Sequence, residues 1–218
     1  MRVAVVGGHG QIARLLHPLL VAGGHLPVAL ARREEYRPAL EALGAELRLL
    51  DIESSTADDF VAAFEGCDAV VFSAGGGPDG NAGRKRTVDL EGSLKSIEAA
   101  QRLGIRRFVQ VSAMVDQPVA DDASEAWKAY LVAKRDADLA LRDSGLDWTI
   151  LRPGRLTDAP ATDRIALGAD LPHEDVTRAD VAAVVAAVLD RPDTVGHQWH
   201  LIGGGLPVDA AVDAALGG

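Results

Sequence analysis

The sequence predicts an α/β fold, a doubly wound parallel sheet with helices on both faces in three layers, and three observations predict it. Short β-rich runs alternate with segments of helical period along the chain. Glycines stand where each helix should stop before the next strand. The first strand also runs straight into a glycine-rich loop that opens a helix, which brings bare backbone and free helix amides up to an anion.

The elements are justified in chain order. Val3-Ala4-Val5-Val6 is an unbroken apolar run, as a strand buried on both faces requires. Gly7-Gly8-His9-Gly10-Gln11-Ile12-Ala13 comes next, and Ile12, Leu15, Leu16, Leu19 and Leu20 mark one face of a helix. Further strands are expected at Pro27–Ala31, Glu46–Leu50, Ala69–Ala74, Arg107–Val111, Trp148–Leu151 and Gln198–Ile202. Gly23 and Gly24, Gly44, Gly66, Gly104 and Gly145 suit the left-handed residue that closes a helix. A helix start is expected at Ser54/Ser55, and Thr177-Arg178-Ala179-Asp180 reads as a capping box. Behind that box, Val181, Val184, Val185, Val188 and Leu189 share one face. A Pro- and Gly-punctuated insertion occupies 154–176, without repeats, low-complexity tracts or linkers elsewhere. With 218 residues and 48% hydrophobic side chains, one domain over 1–218 is expected, burying roughly 70% of the unfolded surface.

A net charge of -10 opposes phosphate backbones and anionic lipid, so neither nucleic acid nor membrane is an expected partner. Arg84-Lys85-Arg86 is the one basic run, and it is short. Cys67 is the sole cysteine, which excludes an internal disulfide, and the N-terminus lacks a signal-peptide pattern; the cytoplasm is the expected compartment. The apolar stretch Val181–Leu189 is too short to span a bilayer. His197 and His200 fall on opposite faces of a strand, and no metal site is expected. Trp127, Trp148 and Trp199 read as core or pocket wall.

The glycine loop predicts a Rossmann-type dinucleotide site built from Gly7, Gly8, His9, Gly10, Gln11 and Ile12. At the end of the second strand, Arg32 and Arg33 offer the fork-shaped partner of a 2′-phosphate and favour NADP(H), while Glu34 and Glu35 keep NAD(H) as the alternative. Asp51 and Ile52 suit the edge and face of an adenine, or an ordinary turn. Ser73, Ala74 and Gly75 close the fourth strand with small residues, as a ligand lying across the strand ends requires, or as a flexible turn does. Ser112 ends the fifth strand, and Tyr130 and Lys134 share one helix face. Using a phenol as acid/base near neutrality needs roughly 4 kcal/mol of selective phenolate stabilisation. Lys134 and a bound nicotinium are candidates to supply it.

These residues resemble the short-chain dehydrogenase/reductases, in the atypical, small NAD(P)-binding branch related to NmrA-like and biliverdin-IXβ-reductase/flavin-reductase-like proteins. The resemblance covers nearly the whole chain. It rests on the glycine loop, on Arg107-Phe108-Val109-Gln110-Val111-Ser112, on Tyr130-Leu131-Val132-Ala133-Lys134 and on the run from Ser144 to Gly154. It implies a proton donor at Tyr130, a ribose anchor at Lys134, and a backbone beside the nicotinamide at Pro153, Gly154, Arg155 and Leu156. Asp89 stands where many catalytic members carry asparagine, and the short insertion leaves little material for a substrate lobe, so an open, shallow pocket is expected. The expected function is NADPH-dependent reduction of a small carbonyl, quinone or flavin-like acceptor. A regulatory redox sensor that binds NADPH without turnover, and a sugar-nucleotide epimerase or dehydratase, are the alternatives. The partner is then a small-molecule substrate, and the chain a monomer or homodimer.

Overall fold

A computed structural model describes residues 1–77, 80–116, 119 and 122–217. The first half comprises β1 (Arg2–Val6), α1 (Gln11–Ala22), β2 (Leu26–Ala31), α2 (Arg37–Glu41), β3 (Glu46–Leu49), α3 (Ala57–Phe64) and β4 (Ala69–Phe72). α4 (Ala82–Arg84), a π-helical segment (Lys85–Glu91) and α5 (Gly92–Leu103) then run on as one rod. β5 (Arg107–Val111), α6 (Glu125–Arg142), β6 (Asp147–Pro153), β7 (Arg155–Thr157), β8 (Arg164–Gly168), β9 (Asp175–Thr177), α7 (Arg178–Leu189), β10 (His197–Gly203), β11 (Leu206–Pro207) and α8 (Val208–Leu216) complete it.

The main sheet has the order β11-β8-β10-β6-β5-β4-β1-β2-β3. From β10 to β3 every pairing is parallel, with Val5 opposite Ala29 on one side and Val71 on the other. The order reverses beside β1, so the loop after β1 sits at the switch point, where a crevice opens at the carboxyl ends of the strands. One correction applies to the all-parallel expectation. The insertion supplies β8, which returns antiparallel along β10 with Ile202 opposite Ala166, and β11 extends that edge. β7 and β9 form a separate parallel pair, Arg155 to Asp175 and Thr157 to Thr177, that clips the two ends of the insertion together.

Alternation along β1 divides the core. Val3 and Val5 pack with Leu16 and Leu20 of α1 and Val181, Val184, Val185 and Val188 of α7. Ala4 and Val6 face Phe60 and Phe64 of α3 and Ile97 of α5. All but one of the expected helix-closing glycines have φ between 70° and 78°; Gly23 does not, with φ −78°, and Gly24 beside it takes the left-handed turn.

Two helix starts differ from expectation. α3 is capped by Thr56, not Ser54 or Ser55, and Asp59 closes a capping box on it. Ser55 is already spent, its amide bonded to the Asp51 carbonyl. At α7, Thr177 does cap the helix, accepting from the Asp180 amide at 2.9 Å. The Asp180 carboxylate, however, turns outward to the insertion and accepts from the Thr162 and Asp163 amides at 3.0 and 2.9 Å. Asp180 is fully buried, so one carboxylate fixes both the helix start and the loop packed over it.

Candidate active site

The glycine loop leaves β1 and enters α1 within four residues. Gly7 has φ 79°, and a Cβ there would stand 2.9 Å from the Ala74 Cα. Gly8 bonds the Leu30 carbonyl at 2.9 Å, and a Cβ there would stand 2.7 Å from the Ala29 Cα, so this glycine serves the packing of loop on strand. Gly10 is the N-cap of α1 without a side-chain cap, which leaves the first-turn amides to an outside partner. His17, buried in α1, bonds the Gly8 carbonyl through Nε2 at 2.7 Å and braces the loop from behind. Burial lowers its pKa, against the pull of the Gly8 carbonyl.

Two clefts open along the strand ends. A cleft of about 230 Å³ is lined by Gly7, His9, Gly10, Arg32, Asp51, Ile52, Ser73, Ala74 and Gly75. Nine of the sequence-selected residues thus converge there. Gly8, Gln11, Ile12 and Arg33 do not line it. Ile12 is buried in the core, Gln11 reaches Asp158 at 3.4 Å, and Arg33 is bound by Glu35 at 3.0 Å. Tyr36, Arg84, Glu53 and Val88 also line this cleft and escaped sequence reasoning, because they reach it from separate segments.

A larger cleft of about 720 Å³ is lined by Ser112, Tyr130, Pro153, Gly154, Arg155 and Leu156, by His173 of the insertion and by Trp127, here a pocket wall, with Lys85, Met114 and Arg178 as unforeseen neighbours. Gly75 lines both clefts and joins them. The Ser73 and Ser112 hydroxyls, one at each cleft, are buried without a well-formed hydrogen bond among the described residues. Ser112 is within electrostatic reach of Asp138. Bare glycine backbone, open helix amides and two unsatisfied hydroxyls fit an extended, hydrogen-bonding ligand that spans both clefts. The residues present fit a dinucleotide.

Lys134 is buried, and its Nζ stands 3.2 Å from the Asp89 carboxylate, 3.2 Å from the Ala74 carbonyl and 3.3 Å from that of Val111. The two carbonyls accept hydrogen bonds from the ammonium, and the carboxylate is its counter-ion. Asp89, fully buried on the π-helical segment, also accepts from the Gly76 amide at 2.9 Å. Burial pulls the Lys134 ammonium down, but Asp89, Tyr130 and Asp138 together hold it above its ordinary value. Tyr130 lies with Lys134 Nζ 5.9 Å and Lys85 Nζ 6.0 Å from its ring centroid, stacked on Trp127 at 5.4 Å. Burial raises the phenol, Lys134 opposes this, and Asp89 and Asp138 add to it.

Behind the site, Gln110 and Arg152 bond Asp138 at 2.8 and 2.9 Å, and Arg152 reaches Asp116 at 3.0 Å. His200 accepts from the Leu171 amide through Nδ1 at 3.1 Å, so its Nε2–H donates to Asp116 at 3.0 Å. This chain of polar groups ties the insertion to the loop after Ser112. Arg84-Lys85-Arg86 forms no basic patch. Arg84 pairs with Glu53, Arg86 with Glu91, and buried Lys85 bonds the Gly77 carbonyl.

Comparisons with known proteins agree with this geometry. A family model described as NAD(P)H-binding matches residues 7–192. The "uncharacterized sugar epimerase" YhfK of Bacillus subtilis is 40% identical over 215 residues, covering 97% of this chain and 99% of that one. A Bacillus halodurans structure, named only provisionally as an NAD-dependent epimerase/dehydratase, is 38% identical with TM-score 0.90, covering 98% of this chain and 99% of that one. The oxidoreductase ylbE of Lactococcus lactis is 25% identical with TM-score 0.86, covering 100% and 98% respectively. Among the described residues no helix is long and apolar enough to cross a membrane. The chain belongs to the NAD(P)H-binding family.

Proposed function

We propose that this chain is an NADPH-dependent reductase of a carbonyl, quinone or flavin-like acceptor. The observation that carries the reading is the junction at Gly75, where the cleft of the glycine loop meets a larger cleft lined by Ser112 and Tyr130, so that a dinucleotide spanning both would bring its far end beside these two side chains. Arg32 supports the phosphorylated cofactor, since it lines the first cleft while Arg33 is engaged by Glu35. When bound, the nicotinamide supplies the hydride.

The protein's part is to orient and to hold a proton. Ser112 Oγ, lacking a well-formed bond, is available to donate to an acceptor oxygen. Tyr130 keeps its proton at neutral pH because burial and two carboxylates outweigh Lys134. A phenol held in that state is an acid, which suits protonation of a reduced oxygen better than abstraction from an alcohol. Lys134 serves first as the counter-ion of Asp89, and anchoring a ribose would require it to exchange one of its carbonyl acceptors. NADPH oxidation against matched aldehydes, quinones and flavins tests the reading. Acceptor-dependent oxidation supports it, and tight NADPH binding with no oxidation would move the weight to a redox sensor. The sugar epimerase reading draws support from the name given to the Bacillus subtilis relative. Interconversion of a nucleotide sugar without net cofactor oxidation would favour it.

A further inference from the structure

We infer that His9 is a proton-linked reader of the cofactor's 2′-phosphate: stacked on Tyr36 beside Arg32, its ring takes up a proton when a 2′-phosphorylated dinucleotide binds and not when the unphosphorylated one does. The inference rests on the cofactor reading above.

His9 comes from the glycine loop and Tyr36 from the turn after β2, yet their rings lie parallel within 1° at a centroid distance of 3.6 Å. Both line the first cleft together with Arg32. Stacking fixes the plane of the imidazole and leaves its nitrogens at the ring edge free to bond. Neither nitrogen has a hydrogen bond among the described residues. Arg33, tied to Glu35, sits 5.8 Å from the Tyr36 centroid and braces the stack instead of entering the cleft. The cradle is therefore a stacked imidazole facing the Arg32 guanidinium at the end of β2, where a dinucleotide presents its adenosine ribose.

The charges around His9 set its protonation. Burial and the Arg14 cation of α1 lower its pKa, while Glu35 raises it, so the ring is neutral at pH 7 before ligand arrives. Of the carboxylates lining the cleft, Glu53 is occupied by Arg84 at 3.2 Å and Thr87 at 3.0 Å, and Asp51 accepts from the Glu53 amide at 3.1 Å. A phosphate dianion brought beside the ring reverses the balance, because an opposite charge at close range favours the charged form. A ribose hydroxyl brings no such charge.

Calorimetric titration of the whole protein with NADP⁺ and NAD⁺ at pH 7.0, in two buffers of different ionisation enthalpy, reads the proton directly. Binding of NADP⁺ should take up a measurable fraction of a proton and binding of NAD⁺ essentially none. His9→Gln, with His9→Asn as a second variant, should still bind NADP⁺ but lose the uptake. Between pH 8 and pH 6, wild-type NADP⁺ affinity should gain roughly tenfold relative to His9→Gln, one pKa unit being a tenfold effect. Equal uptake in both proteins, or strong NADP⁺ preference with no uptake in either, would overturn the role of His9 and leave the cofactor reading standing. A preference for NAD⁺ would remove the 2′-phosphate itself and both readings with it.

Discussion

Replacing Asp89 by asparagine isolates what the buried pair does. The variant keeps the shape and an oxygen for the Gly76 amide, but leaves Lys134, buried, with two carbonyls instead of two carbonyls and a carboxylate. Removing one partner of a buried ion pair costs about 3–5 kcal/mol, and the surviving bonds put this site near the lower end. At about 2–4 °C per kcal/mol for a chain of this size, Tm should fall by about 6–12 °C. A second readout separates chemistry from stability. Asp89 is among the groups that raise the Tyr130 phenol, so Asp89→Asn should move its ultraviolet titration to lower pH. Tyr36 is the only other tyrosine, and a Tyr36→Phe background makes the signal unambiguous. The alkaline limb adds a third sign. Lys134 has a raised folded pKa, so its stabilisation is present below the unfolded value of about 10.4 and is lost as pH rises through the folded one. In Asp89→Asn that alkaline loss should shrink, because Asp89 is the largest of the influences that raise Lys134. An unchanged Tm together with an unmoved phenol would refute the coupling of Asp89, Lys134 and Tyr130.

Three further outcomes rest on the same geometry. His17 has a lowered folded pKa, so the unfolded state takes up its proton first and stability should fall as pH drops below about 6.5; denaturant midpoints at pH 7.5 and 5.5 should converge in His17→Gln, once its constant offset is removed. Asp180→Ala leaves the Thr162 and Asp163 amides without their carboxylate and should cost about 1–3 kcal/mol, with proteolytic cleavage appearing inside 154–176 before the sheet unfolds. Tyr130→Phe should lower kcat for carbonyl acceptors by about 10²-fold or more while NADPH affinity holds, and should change quinone reduction far less; equal effects on both acceptors would remove the phenol as proton donor.

Most of the sheet was legible because burial on both faces demands unbroken apolar runs, and Val3–Val6 and Ala69–Phe72 can scarcely be anything else. The antiparallel edge was not legible. Arg164–Gly168 carries a weak pattern, and its pairing with β10 depends on the insertion folding back over a neighbour more than thirty residues away. Glycine and strand-end signals found most of the first cleft, since a sharp turn needs particular residues at particular places. The stack of His9 on Tyr36 and the pair of Asp89 with Lys134 join side chains 27 and 45 positions apart, and no local rule of spacing speaks of either. Arg32 and Arg33 looked equivalent in sequence; only the capture of one by Glu35 divides their roles.

The π-helical segment has an evolutionary consequence. Its wider turns hold Lys85, Val88 and Asp89 toward the strand ends between two ordinary helices. A π-helical turn holds one residue more than α geometry, so deleting a single residue between Lys85 and Glu91 would let the rod close into a continuous α-helix with the flanking helices keeping their faces, and the wide turn that holds Asp89 at Lys134 would be lost. The number of residues in this stretch therefore matters to the buried ion pair as well as their identity. A relative one residue shorter there must neutralise its buried lysine from somewhere else, and alignments that open a gap in this helix would mark a change in how the site is charged.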